Sequence, residues 1–202
     1  DHQKLDKRLE HYGLKEFIVK GDGNCQFRAI SDQLYNDQSH HASVRATTIA
    51  QMRNNRDRYA AFVEAPENGG FDAYLRDMSR DSAWGDHVTL QAAADAFGVP
   101  MCVITSYKDN FVIEIQPDRV KRNDRALWIS FWSEVHYNSL YPIESSKFKN
   151  VHVANGRSRS SGRQYIQSRV RISCNVHELR IPMLSASTIA LQMIVNYSRG
   201  HA

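Results

Sequence analysis

Hydrophobic positions recur with a helical period up to Phe97 and with a strand period from Met101 to Phe131. Phe27, Ile30 and Leu34 stand at i, i+3 and i+7 and predict a helix that begins near Cys25. A second helix is expected over 40–55, with Val44, Thr48, Ile49 and Met52 on one side, and a shorter third over 57–64. Pro66, Asn68, Gly69 and Gly70 interrupt the pattern. Phe71, Tyr74, Leu75 and Met78, and then Leu90, Ala93, Ala94 and Phe97, repeat the spacing i, i+3, i+4, i+7 and mark two amphipathic helices. Gly98 suits the left-handed residue that closes the second, and Pro100 prevents its continuation.

Beyond Pro100 the period changes to two. Residues 101–105 are rich in strand formers, Phe111, Ile113 and Ile115 alternate with polar neighbours, and Leu127, Ile129 and Phe131 alternate with Trp128, Ser130 and Trp132. Three strands are therefore expected, the first two joined as a hairpin by Lys108, Asp109 and Asn110. The apolar-rich run 14–19 delivers the chain to a turn at Gly21. Helices first and a small mixed sheet after them predict an α+β, layered α/β domain.

The 202 residues, 42% of them hydrophobic, have room for one ordinary domain and an extension. Cys25, Cys102 and Cys174 are too few and too scattered for a disulfide framework, so a reducing compartment is expected, the cytoplasm and the nucleus with it. The longest apolar stretch, 181–195, is interrupted by Pro182, Ser185, Ser187, Thr188 and Gln192 and is too short to span a bilayer, so no membrane partner is expected. The net charge of +4 divides unevenly: residues 1–144 hold 17 basic and 21 acidic side chains, residues 145–202 hold 9 and 1. From 144 onward serine and arginine dominate, and the low-complexity run 155–163 predicts a disordered basic tail over 144–202. Arginine–serine stretches can bind phosphates, but a charge run is more commonly a solvated face, so no nucleic-acid partner is assigned to it.

The candidate chemistry lies in Gly21-Asp22-Gly23-Asn24-Cys25-Gln26-Phe27-Arg28. It places a cysteine where a turn hands over to a helix, with Asp22 or Asn24 expected to cap the helix start. Unpaired first-turn N–H groups and the positive end of the helix dipole lower a thiol's pKa and can hold an oxyanion. A cysteine nucleophile needs an imidazole and a third polar group to orient it. His136 follows the strand expected at 127–132, and Asn138, two residues on, points to the same side of an extended chain. A lone cysteine is more often a small buried hydrophobe, the reading given to Cys102, and Trp84 and Trp132 are expected to pack rather than to meet substrate. His40, His41, His87, His152 and His177 lack ligand spacing, and neither metal nor cofactor is expected.

Asp22-Gly23-Asn24-Cys25-Gln26-Phe27-Arg28, then Trp84-Gly85-Asp86-His87-Val88-Thr89-Leu90, then His136-Tyr137-Asn138-Ser139 occur in that order. Over about residues 5–143 the chain resembles the ovarian tumour (OTU) domain deubiquitinases, in their plant-type branch. That resemblance implies a papain-like cysteine peptidase that hydrolyses the isopeptide bond between the C-terminus of ubiquitin and a lysine. It implies Cys25 as nucleophile, His136 as general base and acid, Asn138 as orienter where many members carry aspartate, and Asp22 as a support of the site. Amides around 22–25 would form the oxyanion hole. The implied partners are ubiquitin, polyubiquitin chains and ubiquitinated proteins, toward which an acidic domain of net −4 has the complementary sign. Two other classes are an inactive ubiquitin-binding module that keeps the fold, which an intact Cys25, His136 and Asn138 argues against, and an RNA-binding protein acting through the tail.

Overall fold

The computed structural model describes residues 2–63, 69–120 and 126–149. In chain order the elements are α1 His2–His11, β1 Leu14–Phe17, α2 Cys25–Tyr35, α3 His41–Asn54, α4 Arg56–Tyr59, α5 Gly70–Met78 and α6 His87–Phe97. They are followed by β2 Met101–Thr105, β3 Val112–Ile115, β4 Leu127–Trp132, β5 His136–Pro142 and α7 Ser146–Lys149. The strands form one mixed sheet in the order β1-β5-β4-β2-β3, with β2 and β4 parallel and the other neighbours antiparallel.

The two-residue period of the strands sorts their side chains into two layers. Met101, Val103, Ile113, Ile115, Leu127 and Ile129 pack with Phe27, Ile30 and Leu34 of α2 and with Leu90, Ala93 and Ala94 of α6. Ile104, Trp128, Trp132 and Leu140 meet Leu5 and Leu9 of α1 on the other side. A third cluster of Ile49, Met52, Phe71, Leu75 and Val88 ties α3, α5 and α6 together. Helices thus cover both faces of the sheet, the layered α/β arrangement expected from the sequence.

Gly98 ends α6 in the left-handed conformation, at φ 62°, and Asp86 opens that helix with a reciprocal capping box to Thr89. Three elements go beyond the sequence expectation. Helix α1 has only Leu5 and Leu9 among charged neighbours, but their i, i+4 spacing buries both. Strand β5 carries His136, Asn138 and Ser139 and so reads as polar, and the first four residues of the run 14–19 form the paired edge strand β1. The helix expected over 57–64 is α4 followed by a 3-10 turn, Ala60–Phe62.

Packing also continues past 143, the expected limit of the domain. Lys147 Nζ lies 2.6 Å from the Asp32 carboxylate, which is only 1% exposed, and 4.4 Å above the Phe17 ring. The rest of the expected tail, with Cys174, lies outside the described residues.

Candidate active site

Cys25 is the first residue of α2, but neither expected cap caps that helix. Asn24 is buried, and its Oδ1 accepts instead from Arg45 Nη2 at 2.7 Å and from the Ser82 amide at 3.1 Å. Asp22 accepts the Asn24 amide at 3.2 Å and pairs with Arg28, whose Nη2 lies 2.6 Å away. Hydrogen bonding from Arg28 holds the Asp22 carboxyl well below the usual carboxylate range, against a smaller opposing effect of burial. Of the amides in the 22–25 turn, that of Asn24 is therefore committed to the Asp22 carboxylate.

His136 begins β5, where its pairing with Trp132 fixes its place at the sheet end. Its Nε2 lies 3.1 Å from Asn138 Oδ1, so two of the predicted residues meet through the i, i+2 spacing of the strand. Asn138 Oδ1 also accepts the Val19 amide at 3.0 Å. An N–H pointed at that atom identifies it as the oxygen, so Nε2 carries the proton and Nδ1 is left to serve Cys25. Burial pushes the Cys25 thiol up, but hydrogen bonding to His136 and to the Tyr137 and Gln26 amides, with the charge of His136, brings it below its ordinary value. His136 is raised by its hydrogen bond to Cys25 and by the thiolate's charge, opposed by burial and helped by Val19 and Asn138. Both directions favour a thiolate–imidazolium pair.

Cys25 and His136 line a cleft of ≈ 430 Å³ whose other walls include Phe62, Met78, Trp84, Tyr107 and Val135. Trp84 is 62% exposed, a correction to the packing role expected for it; Trp132 does pack, against the α1 side of the sheet. Behind the cleft, Gln26 Nε2 donates to the Asp86 carbonyl at 3.0 Å, Thr89 Oγ1 donates to Gln26 Oε1 at 2.7 Å, and Tyr74 O–H donates to the Asp86 carboxylate at 3.0 Å. Gly85 passes so close that an added Cβ would lie 2.6 Å from Gln26 Cδ. These contacts give the Gly85-Asp86-His87-Val88-Thr89 block its task of holding one cleft wall against α2. Sequence reasoning missed Arg45 and Phe62, which belong to no recognisable motif.

Among the described residues one group has the composition of a cation site: His2, Asp6 and Glu16, whose ligand-type atoms lie within 4.8 Å of one another. His2 there bridges Asp6 at 3.2 Å and Glu16 at 3.4 Å, joining α1 to β1 away from Cys25.

The chain belongs to the OTU-like cysteine proteases, whose family profile matches residues 20–139. OVARIAN TUMOR DOMAIN-containing deubiquitinating enzyme 9 of Arabidopsis thaliana is 54% identical over 142 residues, covering 70% of this chain and 40% of the relative. Enzyme 12 of the same plant is 47% identical over 146 residues, covering 72% of this chain and 64% of the relative. The chain thus spans between 40% and 64% of the length of these two proteins. Among solved structures the OTU domain of OTUD1 is similar with a TM-score of 0.58 at 25% identity, covering 69% of this chain and 93% of that one. An OTU domain solved in complex with ubiquitin has the same fold, with a TM-score of 0.53 at 18% identity over 68% of this chain and 80% of its own.

Proposed function

We propose that this chain is a thiol-dependent deubiquitinase, which hydrolyses the isopeptide bond at the C-terminus of ubiquitin in chains and in ubiquitinated proteins, and peptide bonds there as well. The observation that carries this reading is the Cys25–His136–Asn138 series, in which His136 lowers the thiol's pKa and is itself oriented at 3.1 Å by Asn138. The related Arabidopsis proteins, named as deubiquitinating enzymes, supply the substrate class.

In this mechanism the Cys25 thiolate attacks the carbonyl carbon of the scissile bond, and the oxygen takes up negative charge facing the amides of the 22–25 turn. His136, protonated in the ion pair, gives its proton to the leaving lysine amine as the carbon–nitrogen bond breaks, and a thioester remains on Cys25. A water molecule then loses a proton to neutral His136 and attacks the thioester carbon; the carbon–sulfur bond breaks, ubiquitin leaves with a free C-terminal carboxylate whose remaining proton goes to solvent, and the Cys25 thiolate and His136 imidazolium are restored. Asn138 keeps the ring aligned through both halves, and Asp22 stabilises the turn through Arg28.

The test is a panel of di-ubiquitins of every linkage together with a ubiquitin C-terminal electrophile. Wild type should cleave at least one linkage and form an adduct at Cys25, and Cys25→Ala should do neither while still binding ubiquitin. Labelling at any other residue, or binding without cleavage of any linkage, overturns the reading, the latter in favour of a ubiquitin-binding module.

A further inference from the structure

Arg45 of α3 is 4% exposed and donates to three acceptors on two other segments. Its Nη1 reaches the Met78 carbonyl at 2.8 Å, and its Nη2 reaches the Ala83 carbonyl and Asn24 Oδ1, each at 2.7 Å. The guanidinium lies 4.1 Å from the centre of the Phe27 ring, two residues along the helix that Cys25 begins. Asn24 Oδ1 accepts the Ser82 amide as well, at 3.1 Å. Gly23, at φ +79°, packs so tightly on Ser82 that an added Cβ would come within 2.9 Å of its Cα. The nucleophile turn and the 78–85 loop, which brings Trp84 and Gly85 to the cleft, are therefore held together through one buried cation.

All three acceptors of Arg45 are neutral. A buried guanidinium bonded to no carboxylate is costly, and an apolar side chain of similar length would fill the space without that cost. The charged and titratable groups near it are Asp81, Asp22 and Cys25, with His41 and Arg28 on the same flank. Of these, the Asp22 carboxylate is already paired with Arg28 at 2.6 Å.

We propose that Arg45 is a positioning residue for the Cys25 reaction: it fixes the 78–85 loop to the Gly23–Cys25 turn, so that the turn's amides and the cleft wall are set before substrate arrives, and it places a positive charge beside that turn. This rests on the reading of Cys25 as nucleophile.

The test uses the full chain as wild type, Arg45→Lys, Arg45→Met and Asn24→Ala, each checked for native circular dichroism. Iodoacetamide alkylation of Cys25, followed by peptide mass as a function of pH, needs no ubiquitin. Hydrolysis of a ubiquitin–aminocoumarin conjugate gives kcat and KM. Arg45→Met should move the alkylation midpoint up by roughly one pH unit and lower kcat by about tenfold or more, with KM within about twofold. Arg45→Lys keeps the charge but cannot span the acceptors, and Asn24→Ala removes the shared one; both should lose kcat similarly while the midpoint stays in place. A folded Arg45→Met with the wild-type midpoint and kcat overturns the proposal, as does a loss expressed only in KM. Should Arg45→Met not fold, wild-type kcat in both other variants overturns it, and lowered kcat at an unmoved midpoint supports it. If wild type fails to hydrolyse the conjugate, the substrate reading fails, and the alkylation midpoints still decide for Arg45.

Discussion

Asn138 Oδ1 is shared between the His136 ring, 3.1 Å from Nε2, and the Val19 backbone amide at 3.0 Å. One neutral oxygen therefore sets both the imidazole and the segment that leads into the nucleophile turn. Asn138→Ala should lower kcat by roughly ten- to a hundredfold, because a misaimed base loses most of its advantage. Asn138→Asp should keep activity and add a charge that stabilises the imidazolium. The acidic limb of the kcat/KM profile belongs to Cys25, whose pKa is lowered, and the basic limb to His136, whose pKa is raised. Asn138→Asp should thus move the basic limb to higher pH, and an unmoved limb would contradict the role given to this residue.

Asp22→Asn should reduce stability at neutral pH by about 1 kcal/mol, the loss of a charge-assisted pair that is partly open to solvent. The folded pKa of Asp22 is depressed, so its contribution is complete above the unfolded carboxylate value of about 3.9 and decays as the pH falls below that. Melting temperatures of wild type and variant should differ at pH 7 and converge in acid. A gap that is constant with pH would assign the effect to shape rather than charge.

Gly23→Ala and Gly85→Ala should both damage the site, the first more severely. At Gly23 the new Cβ meets the Ser82 backbone and the residue holds φ +79°, so there is strain of about 1–3 kcal/mol and no flexible neighbour to relieve it. At Gly85 the obstacle is the Gln26 side chain and Thr89 Oγ1, 3.0 Å away, which can shift. Thermal melts of the two variants, with turnover measured on the same samples, rank them; equal losses would refute this ordering.

Lys147→Met should destabilise the protein by about 3–5 kcal/mol, since it leaves the Asp32 carboxylate buried without its cation. For the same reason a chain ended at 143 should melt well below one ended at 149. Denaturant unfolding of the two truncations measures the difference, and identical midpoints would show that α7 adds nothing to the domain.

Much of this was legible in the sequence because burial there follows a simple period. The helices over 71–78 and 90–97 and the strands over 101–105 and 127–132 appear where their apolar spacing puts them. Strand β5 was hidden because its central residues are polar: Asn138 is buried with bonds to Val19 and His136, and Ser139 with a bond to the Ala29 carbonyl, and partners so distant as Val19 and Ala29 are announced by no local pattern. Cys25, His136 and Asn138 were readable from spacing and motif. Arg45 was not, since its meaning lies in three acceptors distant in sequence, and the hydrophilic letter at that position suggests a surface residue.

Among the described strands β5 comes last along the chain, yet it takes a place between β1, which comes first, and β4. A growing chain therefore carries Cys25 through the synthesis of the 110 residues that separate it from His136. The thiol acquires its base only when β5 is inserted into the sheet. Under the proposed mechanism, turnover therefore reports that β5 is in its place in the sheet, and a half-made or misfolded copy without it is chemically quiet.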